Sequence, residues 1–221
     1  VCAAVTADLF DGLADPRPAR EQIADGAVLL RGFARVIEHE LIAALCDVVA
    51  QAPFRQMFTP GGHRMSVAMT NCGSLGWVTD PTGYRYDAVD PQSDQPWPAM
   101  PPVLRELAGT AAQEAGFSGF SPDACLINCY RPGARMSLHQ DKDEKDFTAP
   151  IVSVSLGLPA IFLFGGMKRS DKPRRLRLDH GDVVVWGGPT RLAYHGVAPL
   201  ADGDHTLLGR QRINLTFRKA R

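Results

Sequence analysis

Between residues 38 and 51 the apolar side chains Leu41, Ile42, Leu45, Val48 and Val49 fall at i, i+1, i+4, i+7 and i+8, one stripe of an amphipathic helix. A second helix is predicted from Pro102 to Gly116, because the stretch opens on proline, carries Val103, Leu104, Leu107, Ala108 and Ala111 at helical spacing, and stops at glycine. Both are expected to pack outside a sheet. From about Ser121 the texture changes to short apolar or alternating runs separated by glycine, proline and asparagine: ACLINCY, APIVSVSLGL, AIFLFGG, RRLRL, DVVVWGG, RLAYHGV and RINLTFR. Many short strands without intervening helical patterns predict an antiparallel barrel or a double-sheet jelly roll. The fold class is therefore mainly β with flanking helices. Residues 1–221 are read as a single domain: an N-terminal helical part to about 52, a lid over 53–98, a supporting helix over 99–120 and a jelly-roll core over 121–221. The lid is inferred from a region rich in glycine, proline, methionine and aromatic residues, a composition of irregular hairpins and loops that cover something.

Composition changes this picture little. At 45% hydrophobic and 22% charged residues, with no apolar run long enough to span a bilayer, the chain reads as a soluble protein without membrane contact. No secretory signal is visible at the N-terminus, so a cytoplasmic location is expected. The five cysteines, Cys2, Cys46, Cys72, Cys125 and Cys129, are odd in number and scattered, and read as reduced thiols. With 24 basic and 24 acidic residues the formal charge is zero, so any nucleic-acid binding has to come from a local patch. Such a patch is offered by Lys168, Arg169, Lys172, Arg174, Arg175 and Arg177, set against Asp171 alone.

Candidate chemistry starts with histidine. Six histidines and 18 aspartates in 221 residues give about 0.5 His-x-Asp pairs by chance. There are two, His139-Gln140-Asp141 and His180-Gly181-Asp182, so the motif alone does not discriminate. The second reads as a turn entering the strand Val183 to Trp186 and is assigned a structural role. The first follows Met136 and Leu138 at a strand end, where period-two geometry puts residues i and i+2 on one face. His195, in a strand predicted from Leu192 to Val197, then completes two histidines and one carboxylate, a set that selects non-haem iron(II) and leaves positions open for a chelating substrate and O2. A surface pair plus a core histidine is the competing reading of these three residues. In the last strand Arg212, Asn214, Thr216 and Arg218 alternate with Ile213, Leu215 and Phe217, so the polar residues share one face. That is either a solvent-facing strand or, with two arginines following His195, a dicarboxylate site.

Taken with FRQM, MSVAMTNCG, the Gly76-Trp77 pair, PWPAMP, PDACLIN, SLHQDKDE, PIVSVSLGLPAIF, GDVVVWGG and NLTFR, these residues resemble the AlkB-type dioxygenases of the Fe(II)/2-oxoglutarate-dependent oxygenases, collinearly from about Ala27 onward. The resemblance implies a double-stranded β-helix core, iron(II) held by His139, Asp141 and His195, and 2-oxoglutarate held by Asn128, Tyr130, Arg212, Asn214 and Arg218. It further implies a damaged base sandwiched between Trp77 and His139, lined by Met69 and Tyr84, with Asp143 near its exocyclic amine and Arg169 close to phosphate or substrate. The implied reaction is oxidative demethylation of 1-methyladenine and 3-methylcytosine type lesions, with O2 consumed, 2-oxoglutarate converted to succinate and CO2, and formaldehyde released. The expected partner is methylated single- or double-stranded DNA, with RNA left open and the protein a monomer. Single strands are preferred on this reading, because a methyl group on the pairing edge obliges a duplex base to flip out. Two departures are local: His63 stands where relatives often carry tyrosine, and Cys129 where a basic residue is common.

Two other readings are carried forward. An oxygenase of the same superfamily acting on a protein or small molecule needs the iron and cosubstrate residues but not Trp77, Asp143 and the basic patch together. A non-catalytic jelly-roll binding module needs none of the triad.

Overall fold

The computed structural model describes residues 17–221, and Cys2 lies outside them. A hairpin of β1 (Arg20–Ala24) and β2 (Ala27–Leu30) leads into helix α1 (Glu38–Gln51). Strand β3 (Ala68–Gly73) follows, and then two small hairpins: β4 (Gly76–Asp80) with β5 (Gly83–Asp87), and β6 (Val89–Asp90) with β7 (Gln95–Pro96). Helix α2 (Pro102–Glu114) precedes the C-terminal half of the chain, made of β8 (Ala124–Tyr130), β9 (Met136–His139), β10 (Ile151–Gly157), β11 (Ala160–Phe164), β12 (Arg174–Leu178), β13 (Val183–Trp186), β14 (His195–Val197) and β15 (Arg212–Arg218).

These strands form a seven-stranded sheet in the order β1-β2-β13-β10-β15-β8-β3 and a four-stranded sheet in the order β12-β11-β14-β9, with every pairing antiparallel. Two facing antiparallel sheets are the jelly roll that the strand spacing predicts. Alternation divides the large sheet's side chains between two cores. Cys125, Ile127, Val152, Val154, Leu215 and Phe217 point outward and are covered by α1 and α2 through Leu41, Leu45, Leu104 and Leu107. Leu126, Tyr130, Ile151, Val184 and Trp186 point inward and meet Phe162, Phe164 and Val197 of the small sheet. Because both faces are covered, all seven residues of β8, β10 and β15 are buried, which rules out the solvent-facing reading of the last strand.

Three expectations need correction. The N-terminal part is not purely helical, since β1 and β2 extend the large sheet through the pairing of Ala27 to Leu30 with β13. The predicted lid contributes β3 to that same sheet, paired along its length with β8. The strand expected from Leu192 to Val197 is confined to His195–Val197; residues Gly188–Thr190 form a 3-10 turn, and Arg191 is drawn inward by the carbonyls of Ala149 and Asp141 at 3.0 and 2.9 Å.

Candidate metal and cosubstrate site

Strands β9 and β14 lie side by side with His139 directly opposite His195. Their close approach depends on Gly196, because a Cβ there would sit 2.7 Å from the carbonyl oxygen of Met136. Asp141 follows two residues beyond the end of β9. One ligand atom from each of His139, Asp141 and His195 lies within 4.8 Å of the others, an arrangement that could hold a metal ion. Both imidazoles are prepared for ligation by backbone. His139 Nδ1 lies 2.8 Å from the Ser137 carbonyl and His195 Nδ1 lies 3.0 Å from that of Ala193. Since a carbonyl only accepts, each Nδ1 carries the proton and each Nε2 presents its lone pair. Burial pushes the His195 imidazole down to about 4, helped by the neighbouring His139, so it stays neutral and available.

Burial alone would raise the Asp141 carboxyl, but Arg218 and then the two histidines outweigh it and hold it below the usual carboxylate range. Arg218 donates to Asp141 Oδ2 from Nη2 at 2.6 Å and from Nε at 2.9 Å. The same guanidinium is 3.4 Å from Glu144, which also accepts from Arg191 at 3.2 Å and from the Tyr86 hydroxyl at 2.6 Å. Asp141, Glu144, Arg191 and Arg218 thus make a buried cluster of two negative and two positive charges, the condition under which buried ions are tolerated. Accessibility around the triad is uneven: the His139 side chain is 39% exposed, against 7% for His195 and 9% for Asp141, so the open side of the cluster is at His139.

Beneath the triad is a cavity lined by Asn128, Tyr130, Trp186, Arg212, Asn214 and Arg218, among others. The polar face predicted for β15 points into it, and the register sets Ser155 opposite Asn214 and Ser153 opposite Thr216. Asn214 is satisfied within the fold: it donates to Ser153 Oγ at 2.8 Å and to the Val154 carbonyl, and accepts from Thr216. Arg212 is not. It is 1% exposed, lies over the Tyr130 ring and donates from Nη2 to Ser155 Oγ, while its Nε and Nη1, and the Asn128 side-chain oxygen, have no protein partner. Unpaired buried donors on a cation are costly unless an anion completes them, so a carboxylate-bearing ligand fits this end of the cavity. The two arginines expected to act alike therefore differ: Arg212 has free donors, whereas Arg218 is engaged by Asp141 and Glu144.

The hairpin of β4 and β5 is joined to the segment that follows β9 through Asp143 and Glu144. Trp77 stacks on Tyr84 with ring centroids 5.6 Å apart and donates from Nε1 to Asp143 at 2.8 Å, so Asp143 is not simply one solvated charge in its acidic-basic run. Asn71, fully buried, clamps the Trp77 backbone in both directions at 3.0 Å. Gly76 is required beside it, because a Cβ would lie 2.4 Å from the Trp97 ring. Met69 is buried opposite Asn128 in the inward core, and Tyr84 is half exposed. Arg169 stands exposed in the turn between β11 and β12. The basic patch is smaller than the sequence implies: Arg174 is tied to the Ile23 carbonyl and Glu21, and Arg177 to Asp179.

Sequence reading missed Asn71, Tyr86, Glu144, Ser153, Ser155 and Arg191. Only the serines carried a signal, the alternation in Val152 to Ser155 that matches β15. The second His-x-Asp pair is structural, as expected. His180 accepts from the Gly157 N–H and donates to Glu38, and Asp182 accepts from the N–H groups of Gly32 and Asp179 and from Arg31.

The model of the 2OG-Fe(II) oxygenase superfamily matches residues 26–218. The chain is 60% identical over 212 residues to the alpha-ketoglutarate-dependent dioxygenase AlkB of Escherichia coli (strain K12), covering 96% of this chain and 98% of that protein. It is 57% identical, with the same coverage, to the protein of that name from Salmonella typhimurium. Among solved structures it is similar to that of OsALKBH1, at a TM-score of 0.78 and 29% identity over 90% of this chain and 99% of the other. A facial set of two histidines and one carboxylate above a buried cationic pocket is what such enzymes require, and the chain belongs to the AlkB-type dioxygenases of the 2OG-Fe(II) oxygenase superfamily, which use iron(II), 2-oxoglutarate and O2.

Proposed function

We propose that this protein repairs alkylated nucleic acid directly, by oxidative demethylation of 1-methyladenine and 3-methylcytosine type lesions in DNA, with RNA as a further substrate, acting as a cytoplasmic monomer. The observation that carries this reading is the docking of the lid on the metal-ligand segment: Trp77 bonds Asp143, and Tyr86 bonds Glu144, within five residues of His139. A flat aromatic ring and a carboxylate are thereby held together four residues along the chain from the half-exposed His139, a combination suited to a flat, cationic base.

In this assignment His139, Asp141 and His195 hold iron(II) through the two Nε2 atoms and the carboxylate. Arg212 and Asn128 anchor 2-oxoglutarate, with Tyr130 and Asn214 shaping the pocket and Arg218 shared between Asp141 and the ligand. Bound there, iron and 2-oxoglutarate supply the oxidation of the N-methyl group by O2; the chain's own residues place that group and exclude water. Trp77 stacks on the base with Tyr84 and Met69 completing the wall. Asp143, whose second oxygen is not used by Trp77, faces the cationic base. Arg169, with Lys168, Lys172 and Arg175, meets phosphate.

The test is mass spectrometry of a single-stranded oligonucleotide carrying one 1-methyladenine, incubated with the protein, iron(II), ascorbate and O2, with and without 2-oxoglutarate. Loss of one methyl mass only with 2-oxoglutarate is expected. An unchanged oligonucleotide in a protein that binds iron and 2-oxoglutarate would refute the substrate assignment.

A further inference from the structure

A concavity of about 930 Å³, far larger than the cavity beneath the triad, is lined by residues of the same lid and of β8. Its walls include Phe58, Arg64, Ser66, Ala68, Cys129 and Arg131. Strand alternation fixes where it faces. Met69, Asn128 and Tyr130 point toward the metal site, whereas Ala68 and Cys129 point to the opposite face of β3 and β8. On β4, Trp77 packs with the inward core while Val78 lines this cleft from the opposite face of the strand, and Thr79, on the face of Trp77, also borders it.

Its charge is one-sided once the internal pairs are set apart. Arg55 is neutralised by Asp90 at 2.5 Å and Asp80 by Arg85 at 2.8 Å. Arg64 and Arg131 remain, both exposed, and among the described residues neither makes a side-chain hydrogen bond or ion pair. Their positions are fixed by backbone. Arg64 bridges Phe58 in a short hairpin. Ser66 ties that hairpin to the loop after β8, accepting from the Arg135 N–H and donating to the Arg135 carbonyl at 3.2 and 3.0 Å. Thr79 donates to the Phe58 carbonyl at 3.1 Å, joining the hairpin to the strand that carries Trp77. Phe58 itself is 49% exposed. Two unpaired guanidiniums and an exposed ring along an open groove are the components of sites that follow a single nucleic-acid strand: cations for successive phosphates and a platform for a base.

We propose that this cleft holds the strand that flanks the target base, with Arg64 and Arg131 on its phosphates and Phe58 stacked on one of its bases. The proposal rests on the nucleic-acid reading of the metal site. Substrate length is then recognised in this cleft and the methylated base at the metal site.

The experiment uses the full chain loaded with iron and 2-oxoglutarate and the double variant Arg64→Gln, Arg131→Gln. Binding of a methylated single strand of about 15 nucleotides is read by fluorescence anisotropy across salt, and demethylation is read on a methylated trinucleotide. The variant should keep wild-type turnover of the trinucleotide. Its dependence of log affinity on log salt should be shallower by about 1.4, two phosphate contacts at about 0.7 each. Between 50 and 200 mM salt the unaltered protein should therefore lose about sevenfold more affinity than the variant. Phe58→Ala should weaken the longer strand by about fivefold or more while sparing the trinucleotide. Equal salt slopes for wild type and double variant would overturn the proposal, as would an equal loss on both substrates, which would place the arginines at the base site. A wild type that binds the strand with the steeper slope but demethylates neither substrate would instead refute the assigned reaction and leave the cleft standing.

Discussion

Replacing Arg212 by methionine should separate ligand binding from folding. In the ligand-free protein Arg212 is buried, with two nitrogens lacking partners and a guanidinium pushed down from its ordinary value by burial. Replacing a buried, poorly paired ion by an apolar side chain of similar length is often neutral or stabilising. The ligand-free variant should therefore melt no lower than the unaltered protein. The ligand-bound state should behave in the opposite way. Two charge-assisted hydrogen bonds at about 1.5 to 3 kcal/mol each would be lost, a weakening of 2-oxoglutarate by about 10² to 10⁴. With Mn(II) as a redox-silent ion and 2-oxoglutarate at about 100 times its Kd, linkage stabilises the unaltered protein by about 2.7 kcal/mol, or about 5 to 10 °C in Tm for a chain of this size. At the same concentration the variant should shift by about 1 °C or less. Scanning fluorimetry reads both quantities at once. An equal ligand shift in the two proteins would show that Arg212 does not anchor the dicarboxylate, and a lower Tm without ligand would show that its charge is satisfied in the fold.

The lid gives two further expectations. Gly76→Ala forces a Cβ to within 2.4 Å of the Trp97 ring, an overpacking that should cost about 1 to 3 kcal/mol; denaturant melts would measure it, and KM for the methylated strand should rise with kcat less affected. Asn71→Ala removes both side-chain bonds to the Trp77 backbone and leaves a buried N–H and carbonyl unpaired, costing about 2 kcal/mol or more, with a loss of base binding that Asn71→Asp recovers only in part because the Trp77 carbonyl still lacks its donor. A pH dependence follows from His180. Burial, opposed by Glu38, depresses the imidazole, and burial together with His180 depresses the stacked His205. Because the unfolded chain takes up these protons near pH 6.5 while the folded protein resists, stability is complete above that value and falls as pH drops through it. Protonation at Nδ1 also breaks the bond from the Gly157 N–H at 2.9 Å. The drop in Tm from about pH 7.5 to 5.5 should be smaller in His180→Gln, and an equal drop would locate the titration elsewhere.

How much of this was legible in the sequence depended on whether a feature was periodic. The alternation of Arg212 to Arg218 survives folding intact, because a strand in a covered sheet must sort its side chains between two faces, and the polar face became the wall of the cavity. The hairpin over Arg20–Leu30 was missed for the complementary reason: REQIA is mostly polar and AVLL wholly apolar, so neither alternates; AVLL is a strand through its pairing with β13 some 150 residues away, and REQIA through its pairing with AVLL. β3 fell within the lid inferred from composition over 53–98, and with Met69 to Cys72 buried on both faces it carries no period of its own to mark it as a strand. Ion pairs are still less visible. Glu144 stands inside the run Asp141 to Asp146, where every residue resembles a solvated charge, and the guanidinium that draws it inward is on Arg191, 47 positions later.

The two His-x-Asp pairs show what finally separates a site from a motif. At 180 to 182 both ring nitrogens of His180 are taken by Gly157 and Glu38, and both oxygens of Asp182 accept from Gly32, Asp179 and Arg31, so the histidine has no lone pair left for an ion. At 139 to 141 the local groups satisfy only the Nδ1 atoms, and β14 brings a third ligand opposite the first. Arg218 then fixes the charge of the carboxylate between them. The difference is the direction of unused lone pairs, and it is set by tertiary neighbours that period-two reasoning locates only when both strands are already known.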